Sequence, residues 1–91
     1  MFYAIVTKDK PGALDVRKAN RDAHLAYIKS SGVVVQAGPF LDEAGEMCGS
    51  LLILDVATLE EAKDWAAQDP YALAGLFESV SIQAWNRVIA A

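Results

Sequence analysis

The order in which hydrophobic periods follow one another constrains this chain most. Phe2-Tyr3-Ala4-Ile5-Val6-Thr7 is rich in aromatic and β-branched types, which suit a pleated, packed surface, and predicts a strand over residues 2–8. Asp9-Lys10-Pro11-Gly12 breaks it with turn chemistry. From about Leu14 to Ser30 the period becomes helical: Val16, Ala19, Ala23 and Tyr27 recur at steps of three or four, as do Arg21, His24, Leu25 and Ile28. Residues three and four apart are neighbours on a helix, so Arg17, Arg21, His24 and Ile28 share one flank. Gly32 is the expected stop.

Val33-Val34-Val35-Gln36-Ala37 reads as a second strand, ended by Gly38-Pro39. Residues 41–47 are acidic and contain Gly45, which predicts an exposed hairpin loop. Residues 48–56 read as a third strand, and the unbroken Leu51-Leu52-Ile53-Leu54 places it centrally. Thr58-Leu59-Glu60-Glu61 is a capping box, in which the Thr58 hydroxyl caps the Glu61 amide and the Glu61 carboxylate reaches back. The helix it opens carries Ala62, Trp65 and Ala66 on its apolar face. It must end near Gln68, because Pro70 disfavours helical geometry at Asp69. A short helical turn through Tyr71–Phe77 is expected next, then a strand over residues 80–84 that 85–89 can extend.

The resulting order, strand-helix-strand-strand-helix-strand, consists of two split βαβ units. It implies an α+β, ferredoxin-like βαββαβ fold with an antiparallel sheet and two helices on one face. Ninety-one residues suffice for one domain and are too few for two, so residues 1–91 form a single unit. That architecture leaves one sheet face bare and apolar. Composition agrees: 54% of the residues are apolar, against roughly 45–50% in soluble domains. No stretch approaches the ~20 apolar residues of a spanning helix, so the surplus points to a homodimer formed through the sheet face.

Other classes are disfavoured. The net charge is −4 and the basic residues are scattered, which argues against nucleic acid and anionic membrane surfaces. The N-terminus lacks a basic n-region and a small-residue cleavage site, and the single cysteine, Cys48, cannot form an internal disulfide; a cytoplasmic location is expected. One His and one Cys, without metal-ligand spacing, argue against a zinc or copper site within one chain, and nothing points to a carboxylate-held Mg²⁺. Gly38-Pro39 and Gly49-Ser50 are too short to cradle a phosphate. Ser50 lies outside any GxSxG elbow.

His24 is the only side chain whose ordinary titration falls near neutrality. Its plain reading is a helix histidine bonded to whatever lies near. Arg21, one turn back, can bind an anion or simply face solvent. Asp69-Pro70-Tyr71 is conspicuous, although Asp-Pro initiates turns irrespective of function. Trp65 and Trp85 suit core or interface packing, and Cys48 suits a small buried hydrophobe.

Taken together, Arg21-Asp22-Ala23-His24-Leu25, Ala37-Gly38-Pro39-Phe40, Gly49-Ser50-Leu51 and Asp64-Trp65-Ala66-Ala67-Gln68-Asp69-Pro70-Tyr71, with Gly75 beyond, resemble the YciI-like (YCII-related) family. Trp85 resembles the aromatic this family places near the end of its last strand. The resemblance covers essentially the whole chain. It implies a ferredoxin-like subunit that dimerises through its sheet into an α+β barrel. It also implies a pocket holding a His–Asp pair, here His24 and Asp69, with Ser50 as the pocket serine and Arg21 as the arginine a turn before the histidine. Some members resemble cofactor-independent lyases that eliminate chloride from hydroxylated aromatic rings.

The reading that follows is a cofactor-free enzyme acting by general acid–base chemistry on a small anionic or phenolic molecule. Asp69 would orient His24 and favour its protonated form, Arg21 would hold a carboxylate or phenolate, and Ser50 would hydrogen-bond it. The alternative is a non-catalytic metabolite-binding or accessory domain using the same pocket.

Overall fold

The computed structural model describes residues 1–90; Ala91, the last residue of the expected domain, lies outside the described residues. The elements are β1 (Phe2–Asp9), α1 (Leu14–Ser31), β2 (Val34–Leu41), β3 (Met47–Asp55), α2 (Leu59–Gln68), α3 (Pro70–Leu73) and β4 (Phe77–Trp85). Every strand pair is antiparallel, and the sheet order is β2-β3-β1-β4. This is the ferredoxin-like arrangement expected, with β3 internal. Among the described residues no helix is long and apolar enough to cross a membrane.

Alternation along β1 divides the sheet into two faces. Tyr3, Ile5, Thr7 and Asp9 are buried beneath the helices, while Phe2, Ala4, Val6 and Lys8 take the other side. Register transmits this division to β3, because Tyr3, Ile5 and Thr7 pair with Leu54, Leu52 and Ser50. The layer between sheet and helices is therefore apolar at one end, where Tyr3, Ile5, Leu52, Leu54, Ala62 and Trp65 form the core. It turns polar at the Thr7–Ser50 pair. That gradient places the site.

Trp65 ties the two long helices together. Its indole Nε1–H donates to Ser31 Oγ at 3.0 Å, its carbonyl accepts from the Tyr27 hydroxyl at 2.8 Å, and the two rings lie 4.8 Å apart. Each fully buried large side chain in such a core contributes about 1.5–3 kcal/mol relative to exposure.

Several boundaries differ from the sequence reading, each for a local reason. Gly38-Pro39 does not end β2, which continues to Leu41. β2 is an edge strand bonded only to β3, so the missing Pro39 amide costs no ladder bond on its free side. The hairpin beyond it is tighter than expected, because Asp42 Oδ1 accepts from the Ala44 and Glu46 amides at 2.9 and 3.0 Å. Thr58 caps Glu61 as expected, but the Glu61 carboxylate accepts from the Ala57 amide rather than from Thr58. The helical turn after Pro70 stops at Leu73, and Phe77 opens β4 instead of closing that turn. Gly75, at φ +73°, makes the reversal. β4 ends at Trp85, and residues 86–90 are not strand.

The open face is also less bare than expected. Arg87 crosses it, its guanidinium carbon 4.8 Å from the Phe2 ring centre and its Nη2 donating to the Gln36 side-chain Oε1 at 3.5 Å. Ile53, which faces this side, is 3% exposed. Val6, Phe40 and Trp85 remain about 40% exposed there, beside Ser79, Ser81 and Gln83 of β4. The face is thus mixed: Val6 lies on an inner strand, whereas Phe40 and Trp85 lie on the two edge strands at opposite ends of the sheet. Cys48 is half-buried rather than fully buried.

Candidate functional site

A cavity of about 210 Å³ opens between the flank of α1 and the β2–β3 end of the sheet. Its polar lining is Arg17, Arg21, His24, Ser50 and Tyr71; Ile28, Pro39, Met47 and Leu52 supply apolar walls. The volume is comparable to an engineered cavity of roughly 150 Å³ that holds benzene. The site therefore has room for one substituted ring or a molecule of that size.

All four residues singled out in the sequence belong to this region. His24 Nδ1 lies 2.7 Å from Asp69 Oδ1, with both residues buried. A carboxylate can only accept, so Nδ1 carries the proton and the ring's other nitrogen, Nε2, is left with a lone pair whenever the imidazole is neutral. Asp69 has a second task. It ends α2 and caps α3, its Oδ1 accepting from the Tyr71 amide at 3.0 Å. The turn-forming and histidine-bonding readings of Asp-Pro-Tyr are both true, and one makes the other rigid: the cap fixes the carboxylate that His24 meets.

Ser50 and Arg21 stand in the same lining but differ in burial. Ser50 is 3% exposed, on the helix side of β3. Arg21 is exposed at the rim, and among the described residues it makes no ion pair. It is free to meet an anion.

Three residues were not anticipated. Arg17, on the correct flank by helical spacing, carries no sequence signal of a site role, yet it is the most completely engaged side chain in the site. Its Nε and Nη2 donate to the two oxygens of Asp9 at 2.7 and 2.9 Å, and Nη2 also donates to Ser50 Oγ at 2.9 Å. Burial opposes its charge, but the bonds to Asp9 and its negative charge outweigh this, and the Arg17 pKa lies above its ordinary value. Tyr71 is the third. Its ring stacks on His24 at 3.9 Å and 15°, and the Arg17 guanidinium lies 4.7 Å from its centre. Burial raises the Tyr71 pKa, opposed by Arg17 and Arg21 and assisted by Asp69, so its hydroxyl stays protonated at neutral pH. Tyr27 is raised likewise by burial, then by Asp69.

Thr7 Oγ1, cross-strand from Ser50, is buried without a hydrogen-bond partner. Among the described residues no group of three His, Cys, Asp or Glu side chains converges as metal ligands would.

Comparison with known proteins places this geometry. Residues 1–86 match the YCII-related domain. An uncharacterised protein of Haemophilus influenzae is 39% identical over 98 residues, spanning 97% of this chain and 99% of the relative. Protein YciI of Escherichia coli is 36% identical over 97 residues, with the same shares covered. Among solved structures, the 5-chloro-2-hydroxyhydroquinone dehydrochlorinase TftG of Burkholderia phenoliruptrix, in complex with 2,5-dihydroxybenzoquinone, is 34% identical over 94% of each chain, with a TM-score of 0.86. A Mycobacterium tuberculosis protein (Rv0793) shares the fold at 14% identity and a TM-score of 0.62, covering 94% of this chain and 96% of that one. The sequence and its architecture agree: this chain belongs to the YCII-related domain family.

Proposed function

We propose that this protein is a cofactor-free acid–base enzyme acting on a small anionic or phenolic molecule of about one ring. The observation that carries the reading is the buried 2.7 Å bond between His24 and Asp69 inside a ring-sized cavity whose rim holds the unpaired Arg21. The similarity to a dehydrochlorinase bound to a hydroxylated quinone supports the substrate class.

The residues divide the work by their chemistry. His24 Nε2 accepts a proton from an acidic ring hydroxyl. Asp69, bonded to Nδ1, compensates the imidazolium that forms and prevents the ring from turning. The charge balance fits this step: Arg17 and Arg21 cancel Asp9 and Asp69 while His24 is neutral, so proton transfer leaves a cationic pocket around the new phenolate. Arg21 and Ser50 hold an ionised or carbonyl oxygen elsewhere on the same ring. On a polyhydroxylated chloroarene, one hydroxyl proton, taken by His24, is returned to the chlorine-bearing ring carbon, giving a keto tautomer in which that carbon holds both H and Cl. The C–Cl bond then breaks with its electron pair on chloride as a second hydroxyl proton departs, so the net loss is HCl, the ring becomes a quinone and no external oxidant is required. Positioned proton transfer contributes about 10²–10⁴-fold.

The same proposal includes a homodimer joined through the open sheet face, over which Val6, Phe40 and Trp85 are spread.

The test is chloride release from 5-chloro-2-hydroxyhydroquinone and a panel of halogenated, hydroxylated rings, for wild type and His24→Ala. Turnover by the wild type that falls about 10²–10⁴-fold in the variant is expected. Turnover equal in both proteins would remove His24 from the mechanism. A ring bound tightly but recovered unchanged would make this a binding module.

A further inference from the structure

We infer that Arg17, locked by Asp9, is a positioning residue that forces Ser50 to donate its hydroxyl proton into the pocket, so that the site selects ligands presenting an acceptor oxygen there. The inference rests on the pocket assignment above and adds a specificity element to it.

The argument is one of donor and acceptor accounting. A guanidinium has five N–H donors and no acceptor, so the 2.9 Å contact between Arg17 Nη2 and Ser50 Oγ has one possible polarity, with Ser50 accepting. A hydroxyl that accepts from arginine must direct its own proton elsewhere. Among the described residues Ser50 has no side-chain or carbonyl acceptor for that proton. Its cross-strand neighbour Thr7 does not take it, since Thr7 Oγ1 makes no hydrogen bond. The remaining direction is the cavity that Ser50 lines.

Arg17 is held firmly enough to impose this. Two donors engage both oxygens of one carboxylate, Arg17 and Asp9 are 2% and 8% exposed, and the guanidinium rests beside the Tyr71 ring. Asp9 also neutralises it, so Arg17 polarises Ser50 without offering an unpaired charge of its own. Arg21 is left to supply that charge from the rim. Ser50 and Arg21 both offer donors to the cavity. His24, in the same lining, offers one acceptor, Nε2 of the neutral ring. A ring with an ionised or carbonyl oxygen towards Ser50 and an acidic hydroxyl towards His24 satisfies both; a ring with a donor towards Ser50 leaves two donors facing each other, which costs a buried hydrogen bond.

The experiment is calorimetric binding of 2,5-dihydroxybenzoquinone to wild type, Ser50→Ala, Arg17→Lys and the double variant, each checked by circular dichroism for native fold. Arg17→Lys keeps the charge beside Asp9 but cannot fork between Asp9 and Ser50, so it remains the more foldable probe. Ser50→Ala should weaken binding about tenfold or more. Arg17→Lys should weaken it severalfold in the wild-type background and have no further effect in the Ser50→Ala background, which is the coupling expected of a residue acting through another. Equal losses from Arg17→Lys in both backgrounds would show a merely structural role and overturn the inference, as would unchanged affinity in Arg17→Lys. Absence of quinone binding by the wild type would overturn the pocket assignment and this inference together. Binding without coupling overturns this inference alone.

Discussion

Gly49→Ala sets two opposing effects against each other in a way the geometry decides. Removing a glycine restricts the unfolded chain and by itself stabilises by about 0.4–1 kcal/mol. In the folded sheet, however, Gly49 is buried in β3 opposite Lys8, and a Cβ built there would press into the Thr7 carbonyl oxygen and lie 3.3 Å from the Thr7 carbonyl carbon. Both are backbone atoms of β1, which is paired on both sides, by β3 and β4, so nothing can rotate aside. Overpacking of this kind costs about 1–3 kcal/mol, and a rigid obstacle puts it in the upper half of that range. The net loss is then about 1–2.6 kcal/mol, or roughly 4–21 °C in Tm at about 4–8 °C per kcal/mol for a chain this short. Urea denaturation should show a lower midpoint with an unchanged slope. Gly38→Ala is the control: it sits in the same sheet with nothing within 4 Å of its Cβ and should be neutral or slightly stabilising. Because Ser50 follows Gly49, displacement of β3 should also weaken quinone binding. A Gly49→Ala protein as stable as wild type would refute the close approach of β3 to β1 on which the placement of Ser50 depends.

Other outcomes follow from the same structure. Replacing Asp9 by Leu strands a buried guanidinium and should cost about 3–5 kcal/mol, whereas Asp9→Leu with Arg17→Met should recover most of that in chemical denaturation. The Tyr71 and Tyr27 pKa values lie above their ordinary value in the folded state, so their contribution is complete below about pH 10 and is lost as pH rises from there towards the folded values. Stability measured across pH 9–11.5 should therefore fall less steeply in Tyr71→Phe than in wild type. For the proposed sheet-face dimer, Val6→Glu puts a charge on the open face and should shift sedimentation towards monomer while leaving the secondary structure intact; a wild type that sediments as a monomer would contradict that proposal.

How much of this was legible in the sequence depended on whether a signal was local. The flank shared by Arg17, Arg21, His24 and Ile28 follows from helical spacing alone, and all four line the cavity. Asp69 was conspicuous because Pro70 follows it, and the same local geometry presents its carboxylate to His24. Gly38-Pro39 misled for the opposite reason: proline stops a central strand, but the tolerance of an edge depends on sheet order, which no local pattern reveals. The Asp9–Arg17 pair was overlooked because it spans the Pro11-Gly12 turn. A signal was nevertheless present. Alternation along β1 puts Asp9 on the same side as Tyr3 and Ile5, and a carboxylate on that side requires a cation from the helix packed above it. Arg17 was already on the inward flank. The stacking of Tyr71 on His24 could not be read at all, since it depends on how α3 docks against α1.

The measurement that tests the central claim most directly is the tautomer of the single imidazole, read by long-range ¹H–¹⁵N correlation in the native protein. The neutral His24 ring should carry its proton on Nδ1, bonded to Asp69, and leave Nε2 as the base facing the cavity. A neutral ring protonated on Nε2 would contradict that claim, because no base would then face the substrate.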